Sequence, residues 1–313
     1  SDGSKGGRPA YDPVLMFKVL VLQALYSLSD DQAEFQIQDR LSFMRFLGLG
    51  LGDKVPDAKT IWLFREHLVQ AGVIENLFAR FDRHLSTAGY LAMGGQIVDA
   101  TVVAAPRQRN TDGEKADIKA GKIPDDWQTK PAKLRQKDRD ARWTVKFSKA
   151  KVDDEGKEHK RDIAVPVFGY KNHASIDQRH GFIRGWTVTH AAAWDGAQLR
   201  NVVKRPNTGS TVWADTAYRS KKNEAWLEKN GFISDIHHKK PKGRPMSEAT
   251  ARANGRRSKI RSRVEHVFAH QKSRMGMFVR TIGIARATMK IGMVNLVYNM
   301  TRYVWHEKKA AAA

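Results

Sequence analysis

The chain has no cysteine among its 313 residues, so neither a disulfide nor a thiolate zinc site can hold it together. That absence suits a reducing cytosol. No apolar run approaches the length needed to span a bilayer, and no internal repeat is present. Acidic residues are in short supply: Lys and Arg total 55 against 33 Asp and Glu, a formal charge of +22 with an isoelectric point near 10.2. Solubility needs far less, so the excess points to a polyanionic partner, nucleic acid first and an anionic membrane surface second. The basic residues are spread along the chain and form no single polybasic block, which sets the membrane aside. The length allows one large domain or two modest ones, each with its own core. The opening Ser1-Asp2-Gly3-Ser4-Lys5-Gly6-Gly7 carries neither an initiating Met nor a signal-peptide pattern, and four alanines close the chain. Both ends read as artificial boundaries or flexible tails, with native residues upstream of Ser1 left open.

The first part reads as helical. Asp12-Pro13 can start a helix, and Leu15, Val19, Leu22 and Leu25 recur at helical spacing up to Ser27. Ser29 or Asp30 can cap a second helix with Ile37, Leu41, Met44 and Leu47 on one face, stopping at Gly48. Asp57 can cap a third, and Val73 to Leu85 form a fourth after Gly72. Lys59, Arg65 and His67 on the third helix allow a helix-turn-helix reading in which Lys59 and Arg65 contact DNA. Pattern alone supports a helical packing domain with a solvated basic face equally well.

After Gly94-Gly95 the period changes. Gln96-Ile97-Val98-Asp99-Ala100-Thr101-Val102-Val103 reads as a buried strand with one carboxylate inside it. From Pro106 to about Glu158 the chain is polar and poor in apolar residues, apart from Trp127 and Trp143 to Phe147, so a long insertion or arm is expected over about 106–160. Val167 to Ile176 and Phe182 to Thr189 read as two strands of a hairpin. Thr211 to Asp215 is a further strand, Ser220 to Asn230 a helix and Phe232 to Ile236 one more strand. A basic link is expected over about 237–259, where Lys, Arg, Gly and Pro would track phosphates instead of packing. A helix restarts at Ile260, and Ile291 to Tyr303 is the last one.

Three acids stand out by position: Asp99 in a buried strand, Asp215 at a strand end, and Glu265 in a helix with basic neighbours. A carboxylate among β-branched residues is costly to bury unless it is paired, hydrogen-bonded or bound to a cation. Strand ends are where sheet enzymes commonly carry functional groups. A hard divalent ion such as Mg²⁺ would satisfy both aspartates with oxygen ligands. A strand-end Asp is more often a turn or helix cap, however, and a lone helical Glu more often a surface ion-pair partner, so spacing alone leaves both readings open. On the helix, Arg261, Glu265 and Lys272 share one face, placing cations on either side of the carboxylate where they can bind phosphates. Lys171, His173 and Ser175 alternate along a strand, project together and are expected near the site, Lys171 and His173 as DNA contacts, a hydrogen-bonded structural His173 being at least an equal alternative. Trp194 reads as a loop residue able to stack on a displaced base, with half-buried packing as the commoner role. His266 and His270, four apart on a helix, lack the remainder of a zinc motif.

The blocks Gln96 to Thr101, Trp213 to Tyr218 and Arg261 to Phe268 resemble, in order, the three acidic blocks of DDE transposases, in particular those of insertion sequence family five. Arg261, Glu265 and Lys272 fall in register with that family's Tyr-x2-Arg-x3-Glu-x6-Lys pattern, and Ser258 stands where the pattern has Tyr. The resemblance also covers Gly169 to His173 and the N-terminal helices from about Gly7. It implies an α/β fold: an RNase H-like mixed sheet flanked by helices over 91–309, preceded by an N-terminal helical DNA-end-binding domain over 1–90. It implies Asp99, Asp215 and Glu265 as ligands of a pair of Mg²⁺ or Mn²⁺ ions, serving DNA cleavage and then 3′-end joining. Arg263 and Tyr218, inside the matching blocks, and Arg219, next to Tyr218, join the expected DNA contacts. The implied partners are the element's terminal repeats and target DNA, with the protein a homodimer or higher multimer. The implied location is the bacterial cytoplasm, associated with the nucleoid.

Overall fold

The computed structural model describes residues 10–148, 163–205 and 209–312. The opening Ser1 to Gly7 and the stretch 149–162 of the expected insertion lie outside them. The chain divides into two compact units, one of Ser1–Tyr90, Ala269–Met277 and Met289–Ala313, the other of Leu91–Phe268 and Phe278–Thr288. Residues 269–277 and 289–309, expected with the second domain, group with the first.

In the first unit α1 (Pro13–Tyr26) starts where Asp12 accepts from the amides of Val14 and Leu15, and Ser29 with Gln32 closes a capping box on α2 (Asp30–Asp39). The single helix expected to run on to Leu47 is broken. Arg40, extended at φ −110° and ψ 109°, ends α2 and starts α3 (Leu41–Leu47), its carbonyl accepting from Phe43 and Met44. The break buries Phe43, Met44 and Leu47 and leaves Leu41 exposed. Asp57 caps α4 (Ala58–Gln70), and α5 (Ile74–Thr87) follows. The last helix of the chain, α12 (Ile284–Ala311), extends beyond both expected ends. Its Ile291, Val294, Leu296 and Val297 are buried, and buried Gln271 donates to its Asn295 over 2.8 Å. Tyr303 packs edge-on against Phe81 and His84 of α5, and Tyr90 donates to Glu307 over 2.7 Å, which joins the tail to the N-terminal helices.

The second unit is built on a mixed sheet. Strand β1 (Gln96–Ala104) pairs antiparallel with β3 (Ile163–Asp177), and β4 (Ile183–His190) pairs antiparallel with residues 170–176 of β3. On the other side of β1 run β5 (Thr211–Trp213) and β6 (Ile233–Ser234), both parallel pairings. Strand β2 (Arg142–Ser148) pairs with the first half of β3. Where β3 changes partners, Gly169 has φ +151°, and a Cβ there would run into the Val103 carbonyl. One face of the sheet is closed by Val98, Val212 and Ala214 packing with Leu199 and Val202 of α9 (Leu199–Val202), Leu227 of α10 (Lys221–Lys229), Tyr218, Phe232 and Ile236.

Two polar stretches are more ordered than expected. The insertion carries three short helices, α6 (Asp112–Lys119), α7 (Asp125–Gln128) and α8 (Pro131–Gln136), before β2. Trp127 is their core: fully buried, it donates to Glu114 over 2.6 Å while the Lys133 and Lys137 ammonium groups lie over its ring. That N–H is the largest influence holding Glu114 down to about 2, against its partial burial. Buried Asp138 then ties the insertion to β3 by accepting from Tyr170 over 2.6 Å. The basic link is likewise half helical, because α11 (Glu248–Ala269) begins well before Ile260. Ala249, Ala251 and Ala253, with several Arg and Lys, favour helix strongly enough to carry Gly255 inside it.

Candidate active site

The register of β1 on β5 places Asp99 and Asp215 together. Ile97 pairs with Trp213, the last matched pair of two parallel strands, and each aspartate follows two residues further on. They therefore lie side by side, Asp99 within β1 and Asp215 just beyond the carboxyl end of β5, on the face opposite Val98 and Ala214. Asp99 Oδ1 accepts from the Ala100 amide over 2.8 Å, and its Oδ2 lies 3.1 Å from the Arg261 guanidinium, with the two side chains 22% and 21% exposed. Asp215 Oδ1 accepts from the Ala217 amide over 2.8 Å, capping the turn at 216–218. Burial pushes the Asp99 carboxyl above its ordinary range, and the charge of Asp215 adds to that push. The Arg261 charge and the Ala100 amide oppose it without cancelling it.

Glu265 is not gathered in. It lies exposed on α11 one turn beyond Arg261, and among the described residues no group of three or more His, Cys, Asp or Glu side chains is placed to hold an ion. Arg261 is thus the residue that brings this helix to the aspartate pair. Arg263 is exposed and donates to the Gln178 carbonyl over 2.6 Å. Lys272 falls in the first unit, exposed in the π-helical turn His270–Arg274.

The expected DNA contacts fare unevenly. His173 is fully buried, and its Cα partner across the sheet is Ala100, whereas that of Asp99 is Ala174. Directly paired residues share a face, so Lys171, His173 and Ser175 project from the side of the sheet opposite Asp99. This corrects the expectation that His173 meets DNA beside the acids. Its Nε2 lies 2.8 Å from Thr189 Oγ1, and burial, reinforced by Lys171 and opposed by Asp195, lowers it to about 4, so the ring is neutral at pH 7. The Lys171 ammonium is engaged at 2.8 Å by both Asp195 and the Ala193 carbonyl. Tyr218 is also corrected: 1% exposed in the core, it cannot meet DNA, and its hydroxyl has no hydrogen-bond partner among the described residues. Burial first, then the charges of Asp99, Asp195 and Asp215, raise that hydroxyl well above its ordinary value. Arg219 donates to the Ile236 carbonyl over 2.6 Å. In the first unit the Arg65 guanidinium forms a two-pronged pair with Asp30, at 2.6 and 2.8 Å, and so is spent on packing α4 against α2. Lys59 and Trp194 are exposed.

Asp195 escaped the sequence reading. It opens the turn Asp195–Gln198, which packs so closely on residues 216–218 that a Cβ at Gly196 would meet the Ala217 carbonyl. Asn223 holds the two turns together, donating to the carbonyls of Gly196 and Tyr218 at 2.8 Å each. The Asp-Gly pair after Trp194 was the available signal, but it reads as any loop does.

With this geometry in place, two comparisons carry weight. Residues 1–67 match the family model described as Transposase domain (DUF772), and residues 91–300 match Transposase DDE domain, more than half of the chain. The chain belongs to the DDE transposase family. Membership brings DNA as the partner and divalent-ion-dependent DNA cleavage as the class of activity. Asp99 and Asp215 fit such an ion. Two adjacent carboxylates, one raised by burial and by its neighbour's charge, are the donor set that a hard cation relieves. Such an ion would polarise a phosphoryl oxygen and stabilise developing charge. Among the described residues no single helix is long and apolar enough to cross a membrane.

Proposed function

We propose that this DDE transposase moves an insertion sequence of the kind grouped in family five. It binds the element's terminal inverted repeats, cuts the strands, and joins the 3′-hydroxyl ends to target DNA. The observation that carries the reading is the pair Asp99 and Asp215 on adjacent parallel strands, Asp99 within β1 and Asp215 just past the end of β5, inside the span that matches the DDE domain. The order β4-β3-β1-β5-β6, antiparallel up to β1 and parallel beyond it, supports an RNase H-like core. In this reading Asp99, Asp215 and Glu265 hold two Mg²⁺ or Mn²⁺ ions, with Glu265 reaching the aspartates once the ions are bound. The N-terminal helices, Lys59 among them, grip the element end. Arg261, Arg263 and Lys272 contact phosphates flanking the scissile bond, and Arg219 supports the same strand. Exposed Trp194 stacks on a base displaced from the duplex. The enzyme works as a homodimer or higher multimer on double-stranded DNA, in the bacterial cytoplasm at the nucleoid.

An assay separates the outcomes. The full chain is incubated with DNA carrying the element's ends, a target plasmid, and Mg²⁺ or Mn²⁺. Joined end-plasmid products that vanish on chelation are expected. Cleavage without joining would mark a nuclease, and neither activity on authentic ends would end the enzyme reading.

A further inference from the structure

Helix α11 is fastened to the carboxyl edge of the sheet turn by turn along one face. Asn254 bonds both the amide and the carbonyl of His238, at 3.1 and 3.0 Å. Arg257 Nε lies 2.6 Å from Asp235 Oδ1, and Asp235 Oδ2 accepts from Trp213 Nε1 over 3.0 Å. At the next residue, Ser258 Oγ lies 3.0 Å from His237 Nε2, while His237 Nδ1 lies 3.1 Å from the carbonyl of Ala214, the residue before Asp215. A carbonyl can only accept, so Nδ1 carries a proton toward Ala214, and Nε2 is the atom that faces the serine hydroxyl. The next turn brings Arg261 to Asp99, and the next Glu265.

We propose that His237 and Ser258 are positioning residues: through the Ser258–imidazole–Ala214 bridge they set the register of α11 on the segment that leads from β5 into Asp215, and with it the reach of Glu265 toward an ion held by Asp99 and Asp215. A serine side chain is too short to span from the helix to β5, and the imidazole, 8% exposed, supplies the missing length. This gives position 258 a function without the aromatic hydroxyl of the resembled pattern. Neither residue touches the ion or DNA in this account. The inference rests on the reading of Asp99, Asp215 and Glu265 as one metal centre.

The test is Mn²⁺ binding by calorimetry on the full chain without DNA, comparing the parent with Ser258→Ala, Ser258→Thr, Glu265→Gln and the double variant Ser258→Ala/Glu265→Gln. Ser258→Ala and Glu265→Gln are each expected to weaken binding about tenfold, the scale of losing one ligand or its orienting partner. The double variant should bind no more weakly than Glu265→Gln, and Ser258→Thr, which keeps the hydroxyl, should match the parent. If Ser258→Ala does not fold, His237→Asn keeps the donor to Ala214, cuts the bridge to Ser258, and should show the same loss. Parent-like affinity in the bridge-cutting variant, or losses that multiply in the double variant, would overturn the positioning role while leaving the metal reading intact. No Mn²⁺ binding by the parent would contradict the metal reading itself and this inference with it.

Discussion

Asp99→Asn and Asp215→Asn should each lower strand cleavage and joining by about 10³-fold or more, with DNA affinity and folding preserved. The magnitude follows from what an ion held by this pair contributes, several kcal/mol of charge stabilisation in phosphoryl transfer, at about 1.4 kcal/mol per tenfold in rate. Preservation of the fold follows from the local electrostatics. Asp99 is already raised by burial and by Asp215, so a neutral amide of the same shape relieves a repulsion. The amide oxygen of the variant still accepts a hydrogen bond, so the contact to the Arg261 guanidinium or the Ala100 amide is kept. Thermal melts should therefore match or exceed the parent's, while single-turnover joining collapses. Parent-like joining by either variant would remove that aspartate from the centre.

Arg184→Ala should cost about 3–5 kcal/mol of stability, because it leaves a buried charge without its counterion. The Arg184 and Asp177 side chains are 3% and 0% exposed and 3.0 Å apart, at the turn that joins β3 to β4. Burial works to raise the Asp177 carboxyl, and the His180 bonds with the Arg184 charge outweigh it, so the group ends below its ordinary value of 3.8. A carboxyl lowered in the folded state stabilises above its unfolded value, and the effect is lost as pH falls through the folded one. The gap between parent and variant should accordingly be full at pH 7 and narrow once the pH drops below 3.8. Urea midpoints at several pH values check this, and a gap that widened in acid would contradict the assignment.

Local signals in the chain were legible wherever a short-range rule governs. Asp12, Ser29 and Asp57 cap helices as their positions suggest, and the alternating stretches at 96–103 and 167–176 are strands. Asp99 and Asp215 were visible as carboxylates among apolar strand residues, and the parallel register then sets them side by side. What stayed hidden depends on pairing between distant segments. The alternation of Lys171, His173 and Ser175 was readable, but their side of the sheet follows from the pairing of Asp99 with Ala174, which no local pattern encodes. The break at Arg40 obeys tertiary packing, since apolar spacing runs straight through it. The insertion looked polar because one tryptophan, Trp127, supplies its core, and low average hydrophobicity conceals a single well-buried ring. The start of α11 was masked by Lys, Arg and Gly, where helix propensity from the alanines prevails.

The central claim is that the Asp99 and Asp215 carboxylates are ligands to a catalytic divalent ion, and Asp215→Cys tests it most directly. A thiolate is a poor ligand for Mg²⁺ and a better one for softer ions. Joining of element ends by this variant should be lost in Mg²⁺ and partly restored in Mn²⁺, with the parent active in both. Joining at the parent's rate in Mg²⁺ alone would contradict the account.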